Sequence, residues 1–277
     1  MKIKLVAFDL DGTLLNSQRE LIDEDAEILK RAAEAGIKIV PATGRFLGAI
    51  PKVIRDMSFV RYYVTMNGAQ VFDMQQNFSI SRAELPLEQT LSIIKLLDEL
   101  PVIYECVMED SGWMNRRHYE LADKYAPDAR YLELLLTLRK PVDNLTEFIK
   151  KRGRSIQKFN CLFLAKDIAL RDEMLKKLAA RFPGTIVSTS LKNNLEINNI
   201  HANKGEALQK LTEYLGLSMK EVMAFGDGLN DISMIKAAGI GVAMTGGYEE
   251  ACEAADYVTS SCDEQGVTKA ILKFCDI

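Results

Sequence analysis

The chain opens with a nearly continuous apolar run, residues 3–8, that stops at Asp9. A run this short and this uniformly apolar is what a strand buried on both faces of a parallel sheet presents. Residues 24–35 then place apolar side chains at helical spacing, with Asp23 positioned to cap the start and Gly36 to close the end in a left-handed conformation. Residues 37–40 read as the next strand, 47–56 as a helix, and 62–65 as a third strand ending at Asn67-Gly68, a tight-turn pair. The order β-α-β-α-β predicts a parallel sheet with right-handed crossovers.

The same alternation returns late in the chain. A helix over 204–214 closed by Gly216 precedes a strand at 222–225, a short helix over 232–238, a strand at 240–243, a helix at 249–254 and a last helix over 265–274. Between the two flanks, from about 85 to 189, the pattern changes. A helix opens at Pro86, strands are expected near 102–107 and 159–164, and helices near 117–125 and 166–181. This block interrupts a sheet that needs both flanks to complete its core. The expected organisation is therefore an α/β, Rossmann-like core from residues 1–84 and 190–277, with an α+β domain, 85–189, inserted into it.

At 277 residues with 48% hydrophobic and 27% charged positions, the chain has the material for two folded domains. Lys and Arg number 35 against 39 Asp and Glu, and neither sign forms a long block. A nucleic-acid partner is not expected from that balance, and any anion must be held by a local site. No apolar stretch approaches the roughly 18 residues of a membrane span, and the apolar opening reads as a strand, not a signal segment. Nothing points to an obligate protein partner. The five cysteines (Cys106, Cys161, Cys252, Cys262 and Cys275) are scattered with no C-x-x-C spacing, which suits neither a disulfide framework nor zinc, so a reducing cytoplasm is expected. With only His118 and His201, histidine chemistry is poorly supplied and carboxylates are the reagents to follow.

In open α/β sheets, ligands bind beyond the carboxyl ends of the strands. Those ends here deliver Asp9-Leu10-Asp11-Gly12-Thr13, then Thr43-Gly44-Arg45, then Gly226-Asp227-Gly228-Leu229-Asn230-Asp231. Carboxylates brought to about 4 Å repel by about 4 kcal/mol per pair at an effective dielectric of about 20, so a cation is required. Oxygen ligands without thiolate or imidazole favour Mg2+, which also binds phosphate. The glycines let backbone amides approach an anion, and Thr43 adds a hydroxyl. Asp9, directly at the strand end, is the better-placed nucleophile, while Asp11 in the turn is placed to act as acid and then base.

These motifs resemble those of haloacid dehalogenase superfamily phosphatases, in the Cof-type branch whose C2-type cap lies between the second and third motifs, and the likeness spans nearly the whole chain. D-x-D-G-T stands as Asp9, Leu10, Asp11, Gly12 and Thr13. The resemblance implies Asp9 as nucleophile and Mg2+ ligand, the Leu10 amide on phosphate, and Asp11 as acid/base with its backbone carbonyl on Mg2+. It places Thr43 and Gly44 on phosphate, Lys204 between phosphate and Asp9, Asp227 on Mg2+, Asn230 on phosphate, and Asp231 behind them against the lysine or a metal-bound water. It further implies a Mg2+-dependent phosphatase of small phosphate esters, sugar phosphates or related monoesters, working through an aspartyl phosphate, with the cap closing over the site to select the leaving group.

Taken singly, Thr43 and Asn230 could merely cap helices and Lys204 could be a surface lysine; their occurrence together in order favours the site. Arg45 reads as structural or a rim residue. Glu105, Trp113, Arg116, Arg117, His118 and Cys161 read as packing or surface, and the cysteines as small buried hydrophobes. A phosphomutase using the same aspartyl phosphate is the alternative within enzymes. A phospho-aspartate signalling protein is the alternative outside them, disfavoured by the inserted domain and by Asp11.

Overall fold

The computed structural model describes residues 2–108 and 111–277 and divides into two compact units. The first gathers Met1–Arg45, Ile50–Arg82 and Asn203–Ile277; the second gathers Phe46–Ala49 and Ala83–Ala202. The chain begins with β1 (Leu5–Phe8), α1 (Asp23–Glu34), β2 (Lys38–Pro41), α2 (Lys52–Arg55), β3 (Tyr62–Thr65), β4 (Gln70–Asp73) and β5 (Phe78–Arg82). The insertion follows with α3 (Leu87–Leu97), β6 (Val102–Met108), β7 (Ser111–Asn115), α4 (Arg116–Glu120), α5 (Ala122–Tyr125), α6 (Ala129–Leu138), β8 (Arg139–Val142), α7 (Leu145–Arg152), β9 (Lys158–Phe163), α8 (Ile168–Arg181), β10 (Thr185–Ser188) and β11 (Asn194–Asn199). The first unit resumes with α9 (Lys204–Leu215), β12 (Val222–Gly226), α10 (Ile232–Ala237), β13 (Ile240–Met244), α11 (Glu249–Ala254), β14 (Tyr257–Thr259) and α12 (Gly266–Phe274).

The two flanks of the sequence meet in one parallel sheet of order β14-β13-β12-β1-β2, the α/β core that the alternating pattern predicts. All four residues of β1 are fully buried, as a strand covered on both faces requires. On one face Leu5, Ala7, Val40, Ala42, Val222 and Ala224 pack with Leu208 and Leu211 of α9 and Met234 of α10. Each large aliphatic side chain buried in this way contributes about 1.5–3 kcal/mol. Phe8 is in register with Pro41 on one side and Phe225 on the other. Asp9, Ala42-Thr43 and Gly226-Asp227 consequently leave the sheet at one edge.

Three local expectations are corrected. Asp23 is the first residue of α1 and not its cap; Ile22 holds the N-cap position, and Asp23, Glu24 and Asp25 make an acidic first turn that suits the helix dipole. The helix expected over 47–56 is split into a 3-10 turn and α2, because Pro51 intervenes and cannot donate inside a helix. β3 meets β2 only at the bridge Ala42–Val64 and pairs antiparallel with β4, which pairs with β5; the Asn67-Gly68 signal marks this β3–β4 connection.

The second unit is a six-stranded sheet of order β10-β11-β9-β6-β7-β8. On one face Tyr104, Cys106, Phe159, Cys161, Phe163, Leu195 and Ile197 pack with Ile94 and Leu97 of α3, Ile149 of α7 and Leu178 of α8. The opposite face combines a small apolar cluster around Ile103, Met114, Leu135 and Leu162 with buried polar groups. Glu105 lies opposite Asn160, and Asn160 opposite Glu196. The Arg139 guanidinium grips Glu105 through two bonds of 2.7 and 2.8 Å, Asn160 donates to Glu105 at 2.9 Å, and Lys158 pairs with Glu196 at 2.7 Å. β11 pairs with both β10 and β9, so the unit continues to Ala202 and not to 189; the short polar connection between β10 and β11 is a hairpin within one sheet.

Candidate active site

The residues at the carboxyl edge of the first unit's sheet converge as their strand positions dictate. After β1 the Leu10 carbonyl accepts from the amides of Thr13 and Leu15, and the Asp9 carbonyl from Leu14, which folds residues 9–15 into a tight bend. Gly12 sits in this bend at a φ of 84°, where a Cβ would come within 2.6 Å of Asp227 Oδ2; only glycine permits both the conformation and the approach. The Thr13 hydroxyl donates to Asp227 Oδ1 at 2.9 Å, tying the first strand's loop to that of β12.

Lys204 is the first residue of α9 and is completely buried. A buried ammonium requires anionic partners, and its Nζ lies 2.6 Å from Asp9 Oδ1 and 2.5 Å from Asp231 Oδ1. The other Asp231 oxygen accepts from the amides of Asp227 and Gly228 at 3.0 and 2.8 Å. Asp231 thus shapes its own loop and steadies the lysine. Thr43 is buried, and its Oγ1 accepts from the Arg45 amide at 3.2 Å, which leaves the hydroxyl proton to donate elsewhere. Asn230 donates to Asn67 Oδ1 at 3.1 Å.

Carboxylate oxygens of Asp9, Asp227 and Asp231 lie within 4.8 Å of one another. Burial pushes Asp9 up to about 8 against the pull of Lys204, with the Asp231 and Asp11 charges adding to the rise. Burial also pushes Asp227 up to about 6, reinforced by Asp231 and opposed by the Thr13 hydroxyl and Lys204. For Lys204, burial alone would favour the neutral amine, but Asp231 and Asp9 outweigh it and hold the group charged. Three carboxylates sharing one ammonium carry surplus negative charge, and an all-oxygen cluster of this kind fits a hard divalent cation.

The Asp11 carboxylate is not in that cluster. It is gripped by Arg45 through Nε at 2.8 Å and Nη2 at 2.6 Å. Burial acts to raise its pKa, but the Arg45 hydrogen bonds and charge hold it below the usual carboxylate value. Arg45, read from sequence as structural or peripheral, is the side chain that governs Asp11. Asn67, read as turn-former only, lies against Gly44 and Asn230. Extending the strand-end rule to β3, whose carboxyl end is Thr65, would have found it. In the second unit, Trp113 stacks on Phe148, the His118 ring meets Tyr104 edge-on, Arg116 pairs with Asp143, and Arg117 with Asp98. These are packing and surface contacts within the second unit.

The family model described as haloacid dehalogenase-like hydrolase matches residues 6–271. A phosphatase of Bacillus subtilis (strain 168) named 5-amino-6-(5-phospho-D-ribitylamino)uracil phosphatase YcsE is 31% identical over 269 residues, covering 97% of this chain and 94% of that protein. A haloacid dehalogenase-like hydrolase from Bacteroides thetaiotaomicron superposes with a TM-score of 0.82 at 28% identity, covering 98% of this chain and 99% of the other. The subclass IIB sugar phosphatase BT4131 does so with a TM-score of 0.81 at 25% identity, covering 98% of each chain.

Proposed function

The chain belongs to the haloacid dehalogenase-like hydrolases and is a phosphoric monoester hydrolase of small phosphate esters, and from that premise we propose that it is Mg2+-dependent, forms an aspartyl phosphate on Asp9, and acts on sugar phosphates or related polyol phosphates. The substrate class is supported by the relatives, whose names describe a phosphoribityl compound in one case and a sugar phosphate in the other. The observation that carries the mechanism is Asp9 at the end of β1, held 2.6 Å from the buried Lys204 and beside Asp227.

In the proposed reaction Asp11, ionised while Arg45 grips it, takes up a solvent proton when those bonds open; an Asp9 oxygen then attacks phosphorus and the bond to the ester oxygen breaks, with Asp11 giving that proton to the departing alcohol. Asp11 then takes a proton from water, the resulting hydroxide attacks phosphorus, and the Asp9–phosphorus linkage breaks to release inorganic phosphate and restore the carboxylate. Lys204 offsets charge on Asp9 and the phosphoryl oxygens, while Thr43, Asn230 and the amides of Leu10 and Gly44 donate to those oxygens. Asp11 can reach the ester oxygen only once its bonds to Arg45 open.

Asp9 and Asp227 would hold Mg2+ together with the Asp11 carbonyl, since both Asp231 oxygens are committed to Lys204 and the loop amides. When bound, the ion supplies the positive charge that keeps Asp9 ionised and draws electron density from the phosphoryl group. The test is phosphate release from a set of phosphorylated sugars and polyols with Mg2+, then with EDTA, and with Asp9→Asn. Turnover is expected to vanish in the last two and to return on adding Mg2+ to the wild type. Substantial turnover by Asp9→Asn at saturating Mg2+ would reject the nucleophile.

A further inference from the structure

The turn between β3 and β4 is built at odds with ordinary backbone preference. Met66, Asn67 and Gly68 have φ values of 53°, 60° and 100°. An Asn-Gly pair alone is enough to reverse two strands, and asparagine tolerates the left-handed region, but a buried methionine in that region is unusual. Such conformations persist where the surroundings fix them, and they gather at functional sites.

The surroundings here are the loops of the proposed phosphate pocket. The Met66 amide donates to the Arg45 carbonyl and the Asn67 amide to the Thr43 carbonyl, both at 3.0 Å. The Asn67 carboxamide oxygen lies so close to Gly44 that a Cβ there would stand 2.8 Å from it. The same oxygen accepts from Asn230 Nδ2. Gly68 backs onto the residue before Lys204, where an added Cβ would be 2.3 Å from the Asn203 carbonyl oxygen. A three-residue turn therefore touches the segments that carry Thr43 and Gly44, Lys204, and Asn230.

We propose that Asn67 is a positioning residue: its carboxamide, presented by the left-handed turn, fixes the Asn230 amide and the Thr43-Gly44 loop at the spacing that a phosphoryl group requires. The inference rests on the phosphatase reading above and deepens it. One hydrogen of Asn230 Nδ2 is used on Asn67, which sets the plane of the carboxamide and so the direction of the second. Donors fixed before the phosphate arrives need not reorganise as charge shifts in the reaction.

The experiment compares Asn67→Gly, Asn230→Ala and the double variant, with p-nitrophenyl phosphate and Mg2+ as the probe reaction and inorganic phosphate as inhibitor. Glycine relaxes the backbone at position 67, so Asn67→Gly removes the carboxamide without adding strain. Melting near the wild type is expected, with kcat/KM lowered about 10- to 100-fold and the phosphate inhibition constant raised in step. Asn230→Ala should match it, and the double variant should be no worse than the poorer single. The proposal is overturned if Asn67→Gly stays within about twofold of wild type, if the two losses multiply, or if the variant loses its cooperative melt. Asp9→Asn runs alongside: an inactive Asp9→Asn beside a fully active Asn67→Gly rejects this inference alone, while an active Asp9→Asn rejects the underlying mechanism.

Discussion

Lys204→Met probes the buried ionic cluster at the carboxyl edge of the parallel sheet. The side chain is wholly buried, with its ammonium 2.6 and 2.5 Å from two carboxylates. At these separations and an effective dielectric of about 20, each contact is worth about 6 kcal/mol before the lost hydration of the ammonium is subtracted. Removing one partner of a buried ionic group costs about 3–5 kcal/mol net, because the remaining charges are stranded. Methionine fills similar volume, so little of the loss should come from packing. The measurement is urea denaturation at neutral pH in EDTA, so that no cation replaces the lysine. A control separates charge from shape: adding Asp231→Asn removes one stranded carboxylate, while the asparagine carbonyl can still accept from the Asp227 and Gly228 amides. The double variant should recover about half of the lost stability. A single-variant loss below about 1 kcal/mol, or a double variant no more stable than the single, would refute the account of Lys204 as the counter-ion of a frustrated cluster.

Three further outcomes follow from the structure. Asp73→Ala should cost about 1–2 kcal/mol, since its carboxylate takes Arg61 and the Gln75 and Gln76 amides but Arg61 keeps partial access to water. The Arg61 hydrogen bond holds Asp73 below its ordinary 3.8, so the contribution is present above that pH and fades as pH falls further; the wild-type-minus-variant stability difference should shrink in acid. Arg139→Ala strands Glu105, whose side chain is 4% exposed, and should cost about 3–5 kcal/mol in denaturation, with Arg139→Met plus Glu105→Leu recovering most of it. Gly68→Ala should lower stability by on the order of 2–3 kcal/mol in the same assay, because the new methyl meets both a positive φ and the Asn203 backbone.

The parallel core was legible because burial on both faces leaves an unmistakable apolar run, as at residues 3–8, and the polar residues that end such runs in a sheet of this kind mark its binding edge. Asp9, Asp227 and Asp231 could thus be named from the chain, although they are up to 222 positions apart, counting from 9 to 231, whereas Lys204, at the start of a helix, was named only through the family resemblance. Side-chain direction was not legible. Nothing in the spacing says that Asp11 turns to Arg45 while Asp231 joins Asp9 and Asp227, since that choice depends on which charges meet after folding. β4 and β5 were missed because their residues 70–82 are rich in polar side chains and show no continuous apolar run. β11 was missed for a related reason: it alternates Leu195 and Ile197 with the buried polar Asn194, Glu196 and Asn198, and two apolar positions are too short a period-2 signal to stand out from a polar loop.

The central position of β1 has a bearing on how the protein is made. One side of that strand is satisfied by β2, ending at Pro41, but the other waits for β12, which starts at Val222. A ribosome adding about 5–20 residues per second needs roughly 10 to 35 s to cover that interval. Throughout it the growing polypeptide exposes an unpaired strand edge, and the contiguous stretch from Ala83 to Ala202 is completed before β12 is made. The last quarter of translation therefore supplies β12 together with Lys204, Asp227 and Asp231, so a product truncated before Lys204 has no partial activity to retain.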